Sequence, residues 1–285
     1  MKKLGFIGAG NMAEALARGL VENKVFKASE LIASDVDAAR RRKFKRALRI
    51  ETTTDNLKVL NSSRAVLFAV KPQNIDAVLS ELAGASRAGQ QTDAPRPRTD
   101  DLASRLFVSI AAGVTLGRLE GALGGRARVI RVMPNAPAMV GQGMAALVRG
   151  RYATKSDEAF ALKIFRAVGE AIALKDETLL DVVTALSGSG PAYVYLFIKS
   201  LADAAAARGL SAELALQMAL KTVRGAEETM RRSPLAAAEL IRIVASPGGT
   251  TEAALKQLGA DGFSAIVARA LDAAAERSRE LGRTS

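Results

Sequence analysis

The sequence predicts an α/β chain in two parts: an N-terminal, mostly parallel sheet wound with helices, followed by an all-α half. Three observations carry this. The chain opens as strand, glycine turn and helix; further short apolar runs recur with enough chain between them for a crossover; and beyond about residue 176 those runs give way to helical periodicity. A length of 285 residues suits about two domains, with the boundary expected between 1–175 and 176–285.

Residues 4–7 read as a short buried strand, after which Gly8 and Gly10 turn the chain and Met12, Leu16 and Leu20 recur at helical spacing. Residues 31–34, 65–70, 106–110 and 129–133 are further apolar runs bounded by polar, Gly or Pro residues. Residues 144–148 and 171–174 add strands at a sheet edge, with a helix over 156–168 between them. Residues 84–101 hold two Gly, two Pro and several Asp, Arg and Gln but no Val, Ile or Phe, and are expected to form a surface loop. In the second half, 192–207 and 252–258 read as helices. Phe263, Ile266, Val267, Ala270, Leu271 and Ala274 trace one apolar helical stripe.

Composition removes several chemistries. There is no cysteine, hence no disulfide, thiolate nucleophile or Cys-bearing metal site, and no histidine, hence no imidazole acid–base catalyst or His-dependent triad. What remains is backbone groups, hydroxyls, Lys, Tyr, carboxylates or a borrowed cofactor. The net charge of +12 is uneven: residues 176–285 carry 12 Lys/Arg against 13 Asp/Glu, so the basicity lies in the first half. Arg40, Arg41, Arg42, Lys43, Lys45, Arg46 and Arg49 crowd ten positions there, a pattern that suits either a solvated helix face or an anion-facing one. Only Phe44 interrupts them, which disfavours a single-strand nucleic-acid groove. No stretch approaches the roughly 18 apolar residues of a membrane helix, and the glycines after Ile7 break any signal-peptide core, so a cytoplasmic location with no membrane partner is expected.

Gly8-Ala9-Gly10-Asn11-Met12-Ala13 is a dinucleotide fingerprint in its Gly-x-Gly-x-x-Ala form, placed after a strand and opening a helix. Gly8 permits the tight turn, Gly10 lets a pyrophosphate approach the backbone, and Ala13 allows close helix–strand packing. Asp35, 25 residues beyond Gly10 at the end of the second strand, stands where an acidic residue would bind the adenosine ribose. Ala69-Val70-Lys71-Pro72 and Ala111-Ala112-Gly113 end two strands on the side where open parallel sheets bind ligands, although for Lys71 a solvent-facing charge reads equally well. Ser187-Gly188-Ser189-Gly190-Pro191 reads as a helix start. Ser246-Pro247-Gly248-Gly249-Thr250-Thr251, before another helix, offers backbone N–H groups and hydroxyls that suit either helix capping or a carboxylate ligand.

Taken together these motifs, with Met133-Pro134-Asn135 and Leu186 to Tyr193, resemble the pyrroline-5-carboxylate reductase family over nearly the whole chain. The resemblance implies an N-terminal Rossmann-type domain for NADPH or NADH and an all-α C-terminal dimerisation domain that also binds substrate, with both subunits contributing to the site. It implies that Val244, Ser246, Gly248, Gly249, Thr250 and Thr251 hold the substrate carboxylate and ring, and that Asn56, Ala69 and Lys71 contact the cofactor. Two departures stand out: Ala136 replaces the usual Thr after Pro-Asn, which removes a hydroxyl near the nicotinamide, and 84–101 is longer than the usual connection.

The activity so implied is reduction of 1-pyrroline-5-carboxylate to L-proline. A protonated imine is already electrophilic, so the site must chiefly hold two ligands face to face. Thr251 is the candidate catalytic contact at the imine nitrogen, orienting it or relaying a proton. Homo-oligomers built from dimers are expected, because an alanine-rich helical half has little bulk for a core of its own. Two rivals are a hydroxy-acid dehydrogenase, which needs an acid–base Lys or His that neither C-terminal motif supplies, and a basic nucleic-acid or anion-binding protein using residues 40–49.

Overall fold

In the computed structural model, which describes residues 1–88, 102–103 and 105–284, one eight-stranded sheet takes the order β3-β2-β1-β4-β5-β6-β7-β8. Its strands are β1 (Lys2–Ile7), β2 (Leu31–Ser34), β3 (Glu51–Thr53), β4 (Ser63–Phe68), β5 (Leu106–Ser109), β6 (Arg128–Met133), β7 (Gly143–Arg149) and β8 (Gly169–Leu174). All neighbours run parallel except β6 and β7. The exception follows from length, since the short turn after Met133 cannot make the crossover that a parallel pair needs. The predicted α/β class, with a mostly parallel sheet and then helices, is the class observed.

Alternation along the strands assigns residues to two layers. Leu4, Phe6, Leu31, Ala33, Leu67, Val108 and Ile130 face α1 (Asn11–Glu22), α2 (Ala38–Leu48) and α6 (Lys155–Phe165), while Ile7, Ile32, Val66, Phe68, Phe107 and Val129 face α3 (Asn56–Ser62), α4 (Ile75–Ala88) and α5 (Leu116–Ala122). Phe44 of α2 is fully buried with its ring edge-on to Phe6 at 6.3 Å, which by itself is worth roughly 1.5–3 kcal/mol of burial. The basic run is therefore a solvated helix riding on one aromatic anchor. Asp37 caps it by accepting from Ala39 N–H at 2.7 Å, and those backbone bonds, with Arg40, hold the Asp37 carboxyl below its ordinary range.

Two expectations need correction. β3 was not foreseen: Glu51-Thr52-Thr53 is a polar edge strand, held by pairing to β2 and by Ile50 in the core rather than by apolar residues of its own. The loop expected over 84–101 is shorter at its start, because α4 continues through Ala88; the remainder, 89–101, lies outside the described residues.

After β8 the chain is helical: α7 (Leu179–Val183), a π-helical turn (Thr184–Gly188), α8 (Gly190–Ala206), α9 (Ala212–Arg232), α10 (Ala237–Val244), α11 (Thr250–Ala260) and α12 (Phe263–Thr284). The chain divides into two compact units, Met1–Gly188 with Ala274–Ser285, and Ser189–Ala273. The sheet unit therefore includes the end of α12. There Ser278 donates to Asp181 at 2.6 Å, and Leu281 lies under Gly113, where a Cβ would sit 3.1 Å from that of Leu281. In the second unit α8 packs on α9 over a core whose buried members are Ala202, Ala215 and Ala219. Among the described residues no helix is long and apolar enough to cross a membrane.

Candidate cofactor and substrate sites

In the sheet unit, β1 stands where connections diverge, to β2 on one side and to β4 on the other, and the crevice at such a switch point is where open parallel sheets bind ligands. Gly8 turns there with φ +99° and donates to the Ser34 carbonyl at 2.8 Å. A Cβ at Gly8 would lie 2.7 Å from the carbonyl carbon and oxygen of Ala69 and 2.9 Å from Val70 N, so no other residue fits. At Gly10, by contrast, a Cβ would meet nothing within 4 Å: the loop is open on that side, and α1 begins there with no side-chain cap. A helix N-terminus with exposed N–H groups and open space before it fits a pyrophosphate. Asn11 is exposed in the first turn, while Met12 packs back onto the core and Ala13 is fully buried against the sheet.

Glu14, in the same first turn, links α1 to α2 through Lys43 at 2.6 Å. Burial pushes the Glu14 carboxyl up, but hydrogen bonds and charge from Lys43 and Arg18 outweigh it and hold the group below its ordinary value.

Asp35 is buried, and both its carboxylate oxygens are engaged. One accepts from Ala9 N–H and the other from Asp37 N–H, each at 2.8 Å. The same side chain thus ties the glycine loop to the strand end where a ribose would lie. Two arginines reach this corner. Arg40 brings a guanidinium nitrogen to 3.6 Å from the Asp35 carboxylate, and Arg41 donates to the carbonyls of Asp35 and Val36 at 2.6 and 2.9 Å. Val36 between them is 93 % exposed, an apolar side chain presented at the rim. Asn56 accepts from Ser34 Oγ at 2.6 Å and donates to Glu81 at 2.7 Å, joining the β2 end to α4.

The remaining sheet-unit candidates line the same edge. Ala69 continues β4 by donating to Ile7 at 2.8 Å, Lys71 is exposed, and Pro72 starts a short 3₁₀ turn. Ala111 is buried and Ala112 half-buried; Gly113, with φ +75°, turns the chain over the end of α12. All thirteen sheet-unit candidates, Gly8 through Gly113, therefore lie at the C-terminal ends of β1, β2, β4 and β5 or on the helix starts beside them.

The other predicted cluster is in the second unit. Val244 ends α10, 66 % exposed, and the turn that follows is exposed at Ser246, Gly248 and Thr250, while Thr251 and Gly249 are half-buried. Gly249 caps α11 and has no side chain to do so, leaving the first N–H groups of that helix without a side-chain cap. Gly249 N–H donates to the Ser246 carbonyl at 2.9 Å, and a Cβ there would meet Ser246 Oγ at 2.6 Å. Gly248, with φ +69°, donates to the Glu252 carboxylate at 2.7 Å, so the turn already presents one N–H to a carboxylate of the chain. Among the described residues no group of three or more acidic side chains is arranged to hold a metal ion.

Sequence reasoning missed two contributors. It quoted Asn135 and Ser187 within motifs but gave neither a role, although the Asn135 amide joins Ser187 to β7. It also left open where the arginines of α2 point, which depends on tertiary contacts alone.

Residues 177–281 match the family model described as pyrroline-5-carboxylate reductase dimerisation, and residues 3–91 match the one described as NADP oxidoreductase, coenzyme F420-dependent. The chain is similar to the pyrroline-5-carboxylate reductase of Pseudomonas aeruginosa, 40 % identical over 98 % of this chain and 96 % of that one. It is also similar to that of Arabidopsis thaliana, 38 % identical over 99 % and 96 %. Among solved structures, the pyrroline-5-carboxylate reductase of Coxiella burnetii superposes with a TM-score of 0.87 at 33 % identity, covering 98 % of both chains. The pyrroline carboxylate reductase of Plasmodium falciparum, with NADP bound, gives 0.83 at 31 %, covering 99 % of this chain and 98 % of that one.

Proposed function

The chain belongs to the pyrroline-5-carboxylate reductase family, and we propose from that premise how its own residues divide the work of reducing 1-pyrroline-5-carboxylate to L-proline with NAD(P)H. The cofactor supplies a hydride to the imine carbon. Residues 1–175 are the cofactor-binding part and 176–285 the part that binds substrate and dimerises. Gly8, Ala9, Gly10, Asn11 and Met12 cradle the pyrophosphate; Asp35 accepts from the ribose hydroxyls; Val36 offers the adenine an apolar rim. Asn56, Ala69, Lys71, Pro72, Ala111, Ala112 and Gly113 line the rest of the cofactor's path. The observation that carries this assignment is the contrast between Gly8 and Gly10: the first is closed by backbone and the second is open over an uncapped helix start.

Val244, Ser246, Gly248, Gly249, Thr250 and Thr251 bind the substrate. Its carboxylate is held by the N–H groups that open α11, and Thr251 places its hydroxyl at the imine nitrogen. A threonine hydroxyl is too weak an acid to protonate an imine unaided, so Thr251 orients the nitrogen or relays a proton that solvent supplies. No histidine is required, which agrees with a chain that has none.

The working unit is a dimer, and larger assemblies are built from dimers. The second unit's own buried core is three alanines, while Tyr195, Leu196, Phe197, Met218, Ile243 and Val244 are exposed, a balance that a helical unit achieves only with a partner covering it. We place the enzyme in the cytoplasm, acting on a small imine rather than on nucleic acid. The test is to mix purified protein with pyrroline-5-carboxylate and NADH or NADPH. Loss of reduced cofactor with matching appearance of proline is expected; cofactor loss without proline overturns the reading.

A further inference from the structure

The end of β6 and the π-helical turn Thr184–Gly188 are far apart in sequence and joined in space from two sides. Asn135, two residues beyond β6, donates from its amide to the Ser187 carbonyl at 3.2 Å and to Ser187 Oγ at 3.1 Å, and accepts from Met144 N–H at 2.8 Å with its amide oxygen. On the other side Met133 closes on Gly188, where a Cβ would fall 2.5 Å from the Met133 methyl. A π-turn is a rare and weakly held form of helix. Here Thr184 further loosens it by donating its hydroxyl to the Leu180 carbonyl at 2.7 Å, a local bond that bends helices. Such a turn keeps its shape only if its surroundings hold it. Ser189, immediately after it, opens the second compact unit.

We infer that Asn135 is a positioning residue, which fixes the π-turn that runs directly into Ser189 and the start of α8. Its side chain spends its acceptor on β7, a rigid strand, and its donors on the turn, so the turn takes its geometry from the sheet. This rests on the reading that the imine is bound by residues 246–251, in the unit that begins at Ser189. A loosened turn then loosens the start of the unit that binds the imine, without altering the glycine loop, Asp35 or the α1 start assigned to the cofactor.

The test uses the full-length protein and Asn135→Asp. That variant keeps an oxygen to accept from Met144 N–H but turns a second carboxylate oxygen toward the Ser187 carbonyl. Near pH 8 the KM for the imine is expected to rise about tenfold. The Kd for NAD(P)H, measured on the free enzyme by fluorescence titration, should change less than about twofold. As the pH is lowered toward about 4, the ordinary aspartic range, the introduced carboxyl takes up a proton and can donate to the Ser187 carbonyl. The variant-to-wild-type ratio of kcat/KM should therefore recover, which a residue serving only general stability would not produce. Hydrogen exchange at the amides of residues 184–190 should quicken in the variant and slow again at the lower pH, after correction for intrinsic rates. If Asn135→Asp does not fold, Ser187→Ala, which removes only the hydroxyl acceptor, should raise the imine KM about twofold with cofactor Kd unchanged. An unchanged imine KM, or an equal rise in imine KM and cofactor Kd, overturns the inference. A wild-type protein that makes no proline would instead overturn the assigned activity, and unchanged exchange at 184–190 would still sink the pinning on its own.

Discussion

Replacing Asp35 by Asn tests the cofactor site at the point where charge, hydrogen bonding and loop geometry meet. In the wild type the carboxylate accepts from Ala9 and Asp37 N–H at 2.8 Å each, and Arg40 stands 3.6 Å away. Asn has the same shape but a single acceptor oxygen, so one of the two N–H groups loses its partner, at a cost of about 1–3 kcal/mol in stability. The electrostatic effect acts on the cofactor. A carboxylate about 4 Å from a phosphate charge repels it by about 1 kcal/mol in water and about 4 kcal/mol at a typical near-surface dielectric. Arg40 and solvent at this rim argue for the low end, and each 1.36 kcal/mol is about tenfold in rate. NADPH should therefore gain about tenfold in kcat/KM relative to NADH, which in turn loses a charged acceptor for its ribose. The assay is kcat/KM for each cofactor at saturating imine, repeated in high salt, where the shift should shrink. Asp35→Ser should move preference the same way, while Arg41→Ala should weaken NADPH more than NADH, since its guanidinium is held at this strand end by the Asp35 and Val36 carbonyls. A shift of Asp35→Asn toward NADH, or none, would show that the carboxylate does not face the ribose.

Gly249→Val should raise the imine KM by about tenfold or more and leave the cofactor KM nearly unchanged, because its Cβ would displace Ser246 from the turn; steady-state kinetics with each substrate varied in turn checks this, and equal effects count against it. Thr251→Ala should lower kcat by about tenfold with circular dichroism and melting behaviour retained, and unchanged kcat across the pH range refutes the hydroxyl's role. The depressed Glu14 carboxyl contributes stability above the ordinary carboxylate value that is lost as the pH falls through its lowered folded value. Lys43→Met removes part of that depression, so denaturant unfolding should show it less stable than wild type at pH 7, with the gap narrowing as the pH falls below the ordinary carboxylate range. Light scattering should find a dimer or a multiple of it, and an active monomer would refute the argument from the three-alanine core.

How legible the molecule was depended on the range of the signal. β1, β2 and the glycine loop follow from adjacent residues, and the residue types that make a tight turn beside a buried strand leave little choice. β3 escaped because an edge strand can consist of Glu51, Thr52 and Thr53 and take its stability from a neighbour. Asp35 was legible from its spacing as an acidic residue at the end of the second strand, yet its hold on Ala9 N–H appears only when the loop folds over the strand end. Asn135 and Ser187 are 52 positions apart, and nothing local to either says what an amide or a hydroxyl will bind. The turn over 246–251 was visible as glycines before a helix. That Glu252 already occupies Gly248 N–H was not, because the side chain's choice between solvent and backbone is settled by the turn's conformation.

α12 begins in the helical unit and finishes in the sheet unit, where Ser278 reaches Asp181 and Leu281 lies beneath Gly113. During synthesis the eight strands emerge first, and domains tend to fold in that order. Here, however, the loop after β5 has no floor until residue 281 has left the ribosome. The half that is translated first is thus the half completed last, with the helical unit inserted within it. Shortened chains ending near residue 273 would retain every strand and every glycine of the fingerprint and still present Gly113 over a void. The last turns of α12 thus make one edge of the sheet unit depend on a segment translated long after its strands.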